Sequence, residues 1–474
     1  MRELVSVGAI LVELETHNLL PTIIFRSSRA QCDYDVQRVT GNRKLHLDNS
    51  FQREIRAKIT EVIEKYDIDR QLVISHPQYS ALVTAGVGAH HAGQLLMWRL
   101  LLEELMSAGL LRALVATGTV AAGVDFPART VIVTAHSRRG QDGFEDLTSA
   151  ELQQMSGRAG RRGKDTVGFC IAVPSTFCDG RTVLKIAKRP PEPLKSSYFP
   201  GPSTVLNLLR YRTVDGLSYT VERSLASFVD RKEATILRTQ AAKEQELLPE
   251  RSDDEGKLDR ANKQRVKRVR RLEREAESLG GRQIKMLESS LNGLRQLGYI
   301  EGEHLSNKGM WASNLCTSLV IELAEMIEAG LLNDVSIEVL VAIIASITGD
   351  SHRTYLRIKG GMLSEDIRTK LTTILDTLRD LSMPGVNSGL QVVDDAAFTV
   401  VSWLKTTTWQ EFRLLLMAAN VAEGDAARLI TQTAEQLNQI ARLSYSHKEL
   451  ANIALEARMI LLRPPLTEVL SVQA

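Results

Sequence analysis

Four short runs rich in apolar and β-branched residues, at 22–25, 112–116, 130–134 and 168–173, alternate with helical patterns through residue 187 or so. Strands that are apolar throughout and separated by helices predict a parallel sheet covered on both faces. Ligand chemistry is then expected in the loops at the strands' carboxyl ends. The proline-rich stretch 189–193 breaks the pattern, and the rest of the chain is mainly helical. Short amphipathic helices fill 203–228, a long polar helix reaches about Glu246, and after a break at 248–256 a charged helix continues to about Leu279. In that second helix Leu258, Ala261, Val269, Leu272, Ala276 and Leu279 recur at threes and fours. Such a narrow seam suits one partner helix, so the pair predicts an antiparallel arm. A helical turn at 291–297 and a tight hairpin over 298–306 predict a winged-helix element. Beyond 315, the faces Val320, Leu323, Ile327, Leu331 and Ile430, Thr433, Leu437, Ile440 predict a helical bundle. The expected order is an α/β lobe over 1–187, a winged-helix region over 188–314 with the arm inserted at about 230–280, and an all-α bundle over 315–474.

Composition narrows the class. The 474 residues are 43% hydrophobic and 24% charged, as in an ordinary globular protein. The best apolar run, Val339 to Ile347, is too short for a bilayer, so no membrane span is expected. Residues 1–12 are apolar but flanked by Glu3 and Glu13, which predicts a helix and not a cleaved leader. Cys32, Cys170, Cys178 and Cys316 are scattered without a C-x-x-C pair. That argues against zinc and for a reducing, cytoplasmic setting. The net charge of +2 decides nothing, but between 257 and 285 there are 11 Lys/Arg against 4 Asp/Glu. This is either a solvated helix face or a surface that contacts phosphates.

The most informative segment is residues 152–163. Gly157, Gly160 and Gly163 allow close backbone approach to a ligand, and Arg158, Arg161 and Arg162 set guanidinium groups beside it. Such a loop calls for an anion. It is not a Walker A loop, because five residues separate Gly157 from Gly163 and Asp165 follows Lys164. The sequence has no other Gly-Lys-Ser/Thr and no Asp-Glu-x-Asp or Asp-Glu-x-His box, so it offers arginines for a phosphate without the cradle.

Gln154-Met-Ser-Gly-Arg-Ala-Gly-Arg161 resembles the arginine-finger motif of superfamily 2 helicases. Residues 116–129 resemble the motif that precedes it, and residues 21–29 the strand and loop that open the second RecA-like lobe. Gly86-Val-Gly-Ala-His-His-Ala-Gly93 narrows the resemblance to the exosome-associated superkiller branch of DExH RNA helicases. The likeness continues more weakly through 192–195, 204–210, 297–300, 330–334 and 421–428. The first RecA-like lobe is missing from this sequence, and the large arch of the branch is reduced to the charged arm.

The resemblance implies a RecA-like α/β lobe, a winged helix and a helical bundle forming the carboxyl-terminal part of an ATP-dependent RNA helicase. It implies that Arg158 and Arg161, with Gln154, stabilise charge on a transferring phosphoryl group, and that Gly123 and Asp125 contact the nucleotide. It implies nucleic-acid contacts from Ser27, Gly88, His91, Thr117, Thr119 and Arg428. The implied cofactor is ATP with Mg²⁺, held only with a partner lobe in cis or in trans, and the implied polymer is single-stranded RNA or DNA. Alone the chain is expected to be inert. Each role has a plainer counterpart: loop-capping arginines, a turn-forming Asp125, strand-end hydroxyls, a solvated Arg428. His90-His91 is expected in core packing and not on a metal. A non-catalytic nucleic-acid-binding or scaffold protein built on the lobe is the alternative from another class.

Overall fold

The computed structural model describes residues 5–118, 128–140, 143–248, 260–386 and 389–466. Five parallel strands form one sheet: β1 (Thr22–Arg26), β2 (Val87–His90), β3 (Ala113–Thr117), β4 (Thr130–Val133) and β7 (Phe169–Ala172), in the order β2-β3-β1-β4-β7. In register, Ile24 lies between Val115 and Ile132. Because successive strand residues face opposite ways, the sheet feeds two cores. Ile23, Phe25, Leu114 and Val131 point into one, and Ile24, Val87, Val115 and Ile132 into the other. Helices cover both, as the unbroken apolar runs require. The β7 edge is barer: Phe169 and Cys170 are exposed.

Between β4 and β7 the chain forms an antiparallel hairpin, β5 (Ser137–Gly140) with β6 (Gly143–Asp146), which the apolar pattern did not announce. Its residues are polar apart from Phe144, so no alternation marks it. The helix Ser149–Ser156 comes next, closed by a capping box of Thr148 and Glu151. Glu192, from the linker beyond the lobe, adds a second cap by accepting from the Ser149 and Ala150 N–H groups at 3.0 and 3.2 Å. The linker is thereby fastened to the lobe.

The arm is present as two long helices, Leu225–Glu246 and Arg260–Gly280, with a small core of their own made by Ala241, Val269 and Leu272. Ala276 is buried on the same seam, Leu279 is half-buried, and Leu258 lies outside the described residues. The helix Arg282–Gln296 leads to a two-stranded hairpin, β8 (Ile300–Glu301) with β9 (His304–Leu305). The remaining helices pack as an all-α body. Its central helix, Ile337–Thr348, buries every residue from Leu340 to Ile347. At about 1.5–3 kcal/mol for each large apolar side chain buried, that helix is the body's main anchor. No helix of the described residues is long and apolar enough to cross a membrane.

Candidate nucleotide and nucleic-acid site

Ser27 follows β1 and Thr117 ends β3, so both stand at the carboxyl edge of the sheet. They line a cleft of about 380 Å³ with Phe25, Arg138, Gln154 and Met155. The structure thus brings Ser27, Thr117 and Gln154 together at the strand ends. Arg138, on the unannounced hairpin, reaches Glu151 of the motif helix with its Nε 2.6 Å from the carboxylate. Phe144, near the hairpin's tip, is 75% exposed.

The arginine loop sits elsewhere. The motif helix runs back from the strand ends, and one turn beyond Gln154 it delivers Arg158 and Ala159 to Ala128, ahead of β4. There the Ala128 N–H donates to the Arg158 carbonyl at 2.9 Å, and the Gly160 N–H donates to the Ala128 carbonyl at 2.7 Å. Gly160 has φ +96°, and a Cβ on Gly168 would lie 2.4 Å from the Ala159 carbonyl carbon and oxygen. Both positions thus require glycine, one for its backbone angle and one for close approach. The loop is pinned where β4 and β7 begin, so the structure does not bring it to the carboxyl ends with Ser27, Thr117 and Gln154.

Arg161 is a quarter exposed and Arg158 half-buried. The Arg161 guanidinium holds Asp165 in a fork, Nε to Oδ2 at 2.8 Å and Nη2 to Oδ1 at 2.9 Å, and its backbone N–H donates to the same carboxylate. Those hydrogen bonds hold the Asp165 carboxyl down at about 2. Asp165 is a partner that sequence reading missed; its position after Lys164 served there only to exclude a Walker A loop.

Gly88 and His91 lie under the surface. Gly88 is buried in β2, where a Cβ would fall 2.5 Å from the Leu102 side chain. His91 is 3% exposed. Its Nδ1 accepts from the Gly93 N–H at 3.2 Å, which leaves the proton on Nε2, 3.0 Å from Asp33. Asp33 also accepts from Gln78 at 2.6 Å. His90 faces Glu103 at 2.7 Å. These residues shape the loop after β2. Thr119, Gly123 and Asp125 lie outside the described residues.

That loop is the seat of the bundle. The helix Glu423–Ala441 starts against it, with the Gly424 N–H donating to the Gly93 carbonyl at 3.0 Å. A Cβ on Gly424 would come within 2.6 Å of the Ala92 and Gln94 carbonyl oxygens, so backbone meets backbone. Both Asp425 carboxylate oxygens accept from the single Nη1 of Arg29 at 2.8 Å, and Arg413 joins Glu423 at 2.7 Å and Ser75 at 2.9 Å. Beside this seat opens a crevice of about 760 Å³, lined by Gln94, Arg99, Arg428, Glu435 and Arg458 among others. Arg428 is exposed there. Burial lowers the Arg99 pKa. The three cations make this crevice the more strongly basic of the two openings.

Comparison with known proteins matches residues 302–468 to the family model described as the DSHCT (NUC185) domain. The chain is 34% identical over 238 residues to the human "Superkiller complex protein 2", covering 48% of this chain and 18% of that protein. The chain is thus similar to the superkiller branch of superfamily 2 helicases. Over 234 residues the chain is 33% identical to "Probable helicase HelY" of Mycobacterium tuberculosis strain H37Rv, covering 48% of the chain and 25% of that relative. A third relative is "DExH-box ATP-dependent RNA helicase DExH15 chloroplastic" of Arabidopsis thaliana, 34% identical over 196 residues, 41% of the chain and 16% of the relative. The chain thus spans a quarter or less of the length of these relatives.

Proposed function

We propose that this chain forms the second motor lobe and the exit-side body of an ATP-dependent RNA helicase. The observation that carries the reading is the division of labour across one helix. Gln154 lines a cleft with the hydroxyls of Ser27 and Thr117, while the next turns carry Arg158 and Arg161 on a glycine-pinned loop. Hydroxyls at a strand edge suit a phosphodiester backbone read without regard to sequence. Paired guanidinium groups suit the charge of a triphosphate. ATP with Mg²⁺ would be gripped by a first RecA-like lobe, in cis or in trans; Arg158 and Arg161 fit its phosphates, and the bound nucleotide would supply the phosphoryl transfer. For Arg161 to meet a phosphate it must exchange the Asp165 fork for it. The helix Arg282–Gln296 with the β8–β9 hairpin is the winged helix of this reading, and the basic crevice at Arg428 is the path by which single-stranded RNA leaves. The relatives carry helicase names, which favours this over a non-catalytic platform.

The test is reconstitution. Adding a first RecA-like lobe of this branch should yield RNA-stimulated ATP hydrolysis, and Arg161→Ala should lower the rate by about 10³ to 10⁵, the usual worth of an arginine finger. Helicase-like hydrolysis by the 474-residue chain alone would refute the division of the site.

A further inference from the structure

The arm's second helix presents a charged stripe that the motor reading does not use. Lys263, Lys267, Arg270 and Arg274 recur at i, i+4, i+7 and i+11, and all four are exposed. At 100° per residue they stand opposite Val269, Leu272 and Ala276, which face the partner helix. Glu273 and Glu275 fall on the flanks, and Glu277 ends the row one turn beyond Arg274. Among the described residues none of the four cations is in an ion pair with an acid. Arg268, nearer the seam, pairs with Glu244 at 3.2 Å, and Arg265 donates to the Leu247 carbonyl at 3.0 Å.

The stripe does not serve the helix that carries it. Lys263 with Lys267, Lys267 with Arg270, and Arg270 with Arg274 are like-charged neighbours at three or four residues, the spacing at which repulsion destabilises a helix. Nor is the arm a loose appendage. At its base the buried carboxylate of Asp230 accepts from Arg282 at 2.5 and 3.1 Å and from Gln283 at 3.0 Å, which fixes the arm to the helix Arg282–Gln296. A row of cations about 16 Å long is therefore held at a set position on the body.

We propose that this stripe binds the phosphate backbone of RNA outside the motor cleft. A membrane surface would need an exposed apolar face beside the cations, and this helix spends its apolar face on its partner. A protein interface would need aromatic or apolar anchors at its centre, and the stripe has none. What remains is a linear polyanion contacted through charge alone. The choice of RNA as that polymer rests on the function proposed above.

The measurement is fluorescence-anisotropy titration of the full chain with labelled single-stranded and duplex RNA at several salt concentrations. The variant K263Q/K267Q/R270Q/R274Q should lose at least about tenfold in affinity at low salt. The slope of log K against log salt should fall by about 3, since each neutralised phosphate contributes about 0.7 on a single strand. Its far-UV circular dichroism should match or exceed the parent's helicity, because glutamine keeps helix propensity and the repulsion is gone. A fully helical variant with unchanged affinity and slope overturns the inference. If Arg428→Gln weakens binding and the stripe variant does not, the stripe fails while the proposed function stands. If the parent chain binds neither RNA, both fail. Unchanged RNA binding together with stripe-dependent sedimentation on phosphatidylserine vesicles also overturns it.

Discussion

At Gly168 a methyl group would sit 2.4 Å from the Ala159 carbonyl. Gly168→Ala must therefore push the arginine loop off its bridge to Ala128, and we expect a loss of roughly 1–3 kcal/mol, the usual range for overpacking, read as a lower thermal midpoint. His76 gives a second prediction at this scale. It stacks on Trp98 with ring centroids 3.5 Å apart, and burial, followed by the nearby Arg413 and His91, lowers its pKa well below the ordinary 6.5. Above about 6.5 the imidazole is neutral whether the chain is folded or not. Below it the unfolded chain takes up a proton that the folded one refuses, so stability falls as pH drops from about 6.5. Asp165 runs in a lower window: its fork with Arg161 contributes above the ordinary carboxylate value and is lost only as pH falls through about 2. Thermal midpoints between about pH 7 and 5 should thus decline in the parent and flatten in His76→Phe, while Asp165→Asn keeps the parent's slope.

At the scale of elements, four of the five sheet strands and the two arm helices were legible because each carries a strong period: unbroken apolar runs for β1, β3, β4 and β7 and a three-four seam for Val269, Leu272 and Ala276; β2, Val-Gly-Ala-His, has no such run. The β5–β6 hairpin was not, because its strands are polar and lack alternation. Phe144 is the element's one large apolar side chain and it points to water. The hairpin's base, Ser137 and Arg138, lines the cleft of Ser27 and Thr117, and under the function proposed above the exposed Phe144 ring is suited to stack on a base. Phe144→Ala should leave the thermal midpoint unchanged and reduce single-stranded RNA affinity by about 1–3 kcal/mol, measured by anisotropy titration. The site was readable in parts for the same physical reason. Glycines and arginines in a fixed spacing announce an anion loop, but no such spacing says that Gly88 is needed against Leu102 or that the loop is pinned to Ala128. Those facts depend on which segments the fold brings together.

Over the whole molecule, residues far apart in sequence make the decisive contacts. Arg29 and Asp425 meet in an ion pair, Gly424 lies on the backbone of 92–94, and Arg413 crosses to Ser75. No sequence period reports such pairings, which is why the bundle could be anticipated but its docking could not. Gly424→Val would drive a branched side chain into the Ala92 and Gln94 carbonyls. We expect a split unfolding transition and faster proteolytic cleavage between lobe and bundle, with the α/β lobe itself still folded. The seat at Gly424 also leaves no hinge there. Two labels on the exposed Thr60 and Thr431 should report one narrow separation under all nucleotide conditions. A stroke that turned the lobe would then sweep the far helices through the same arc, like a crank and handle cast in one piece.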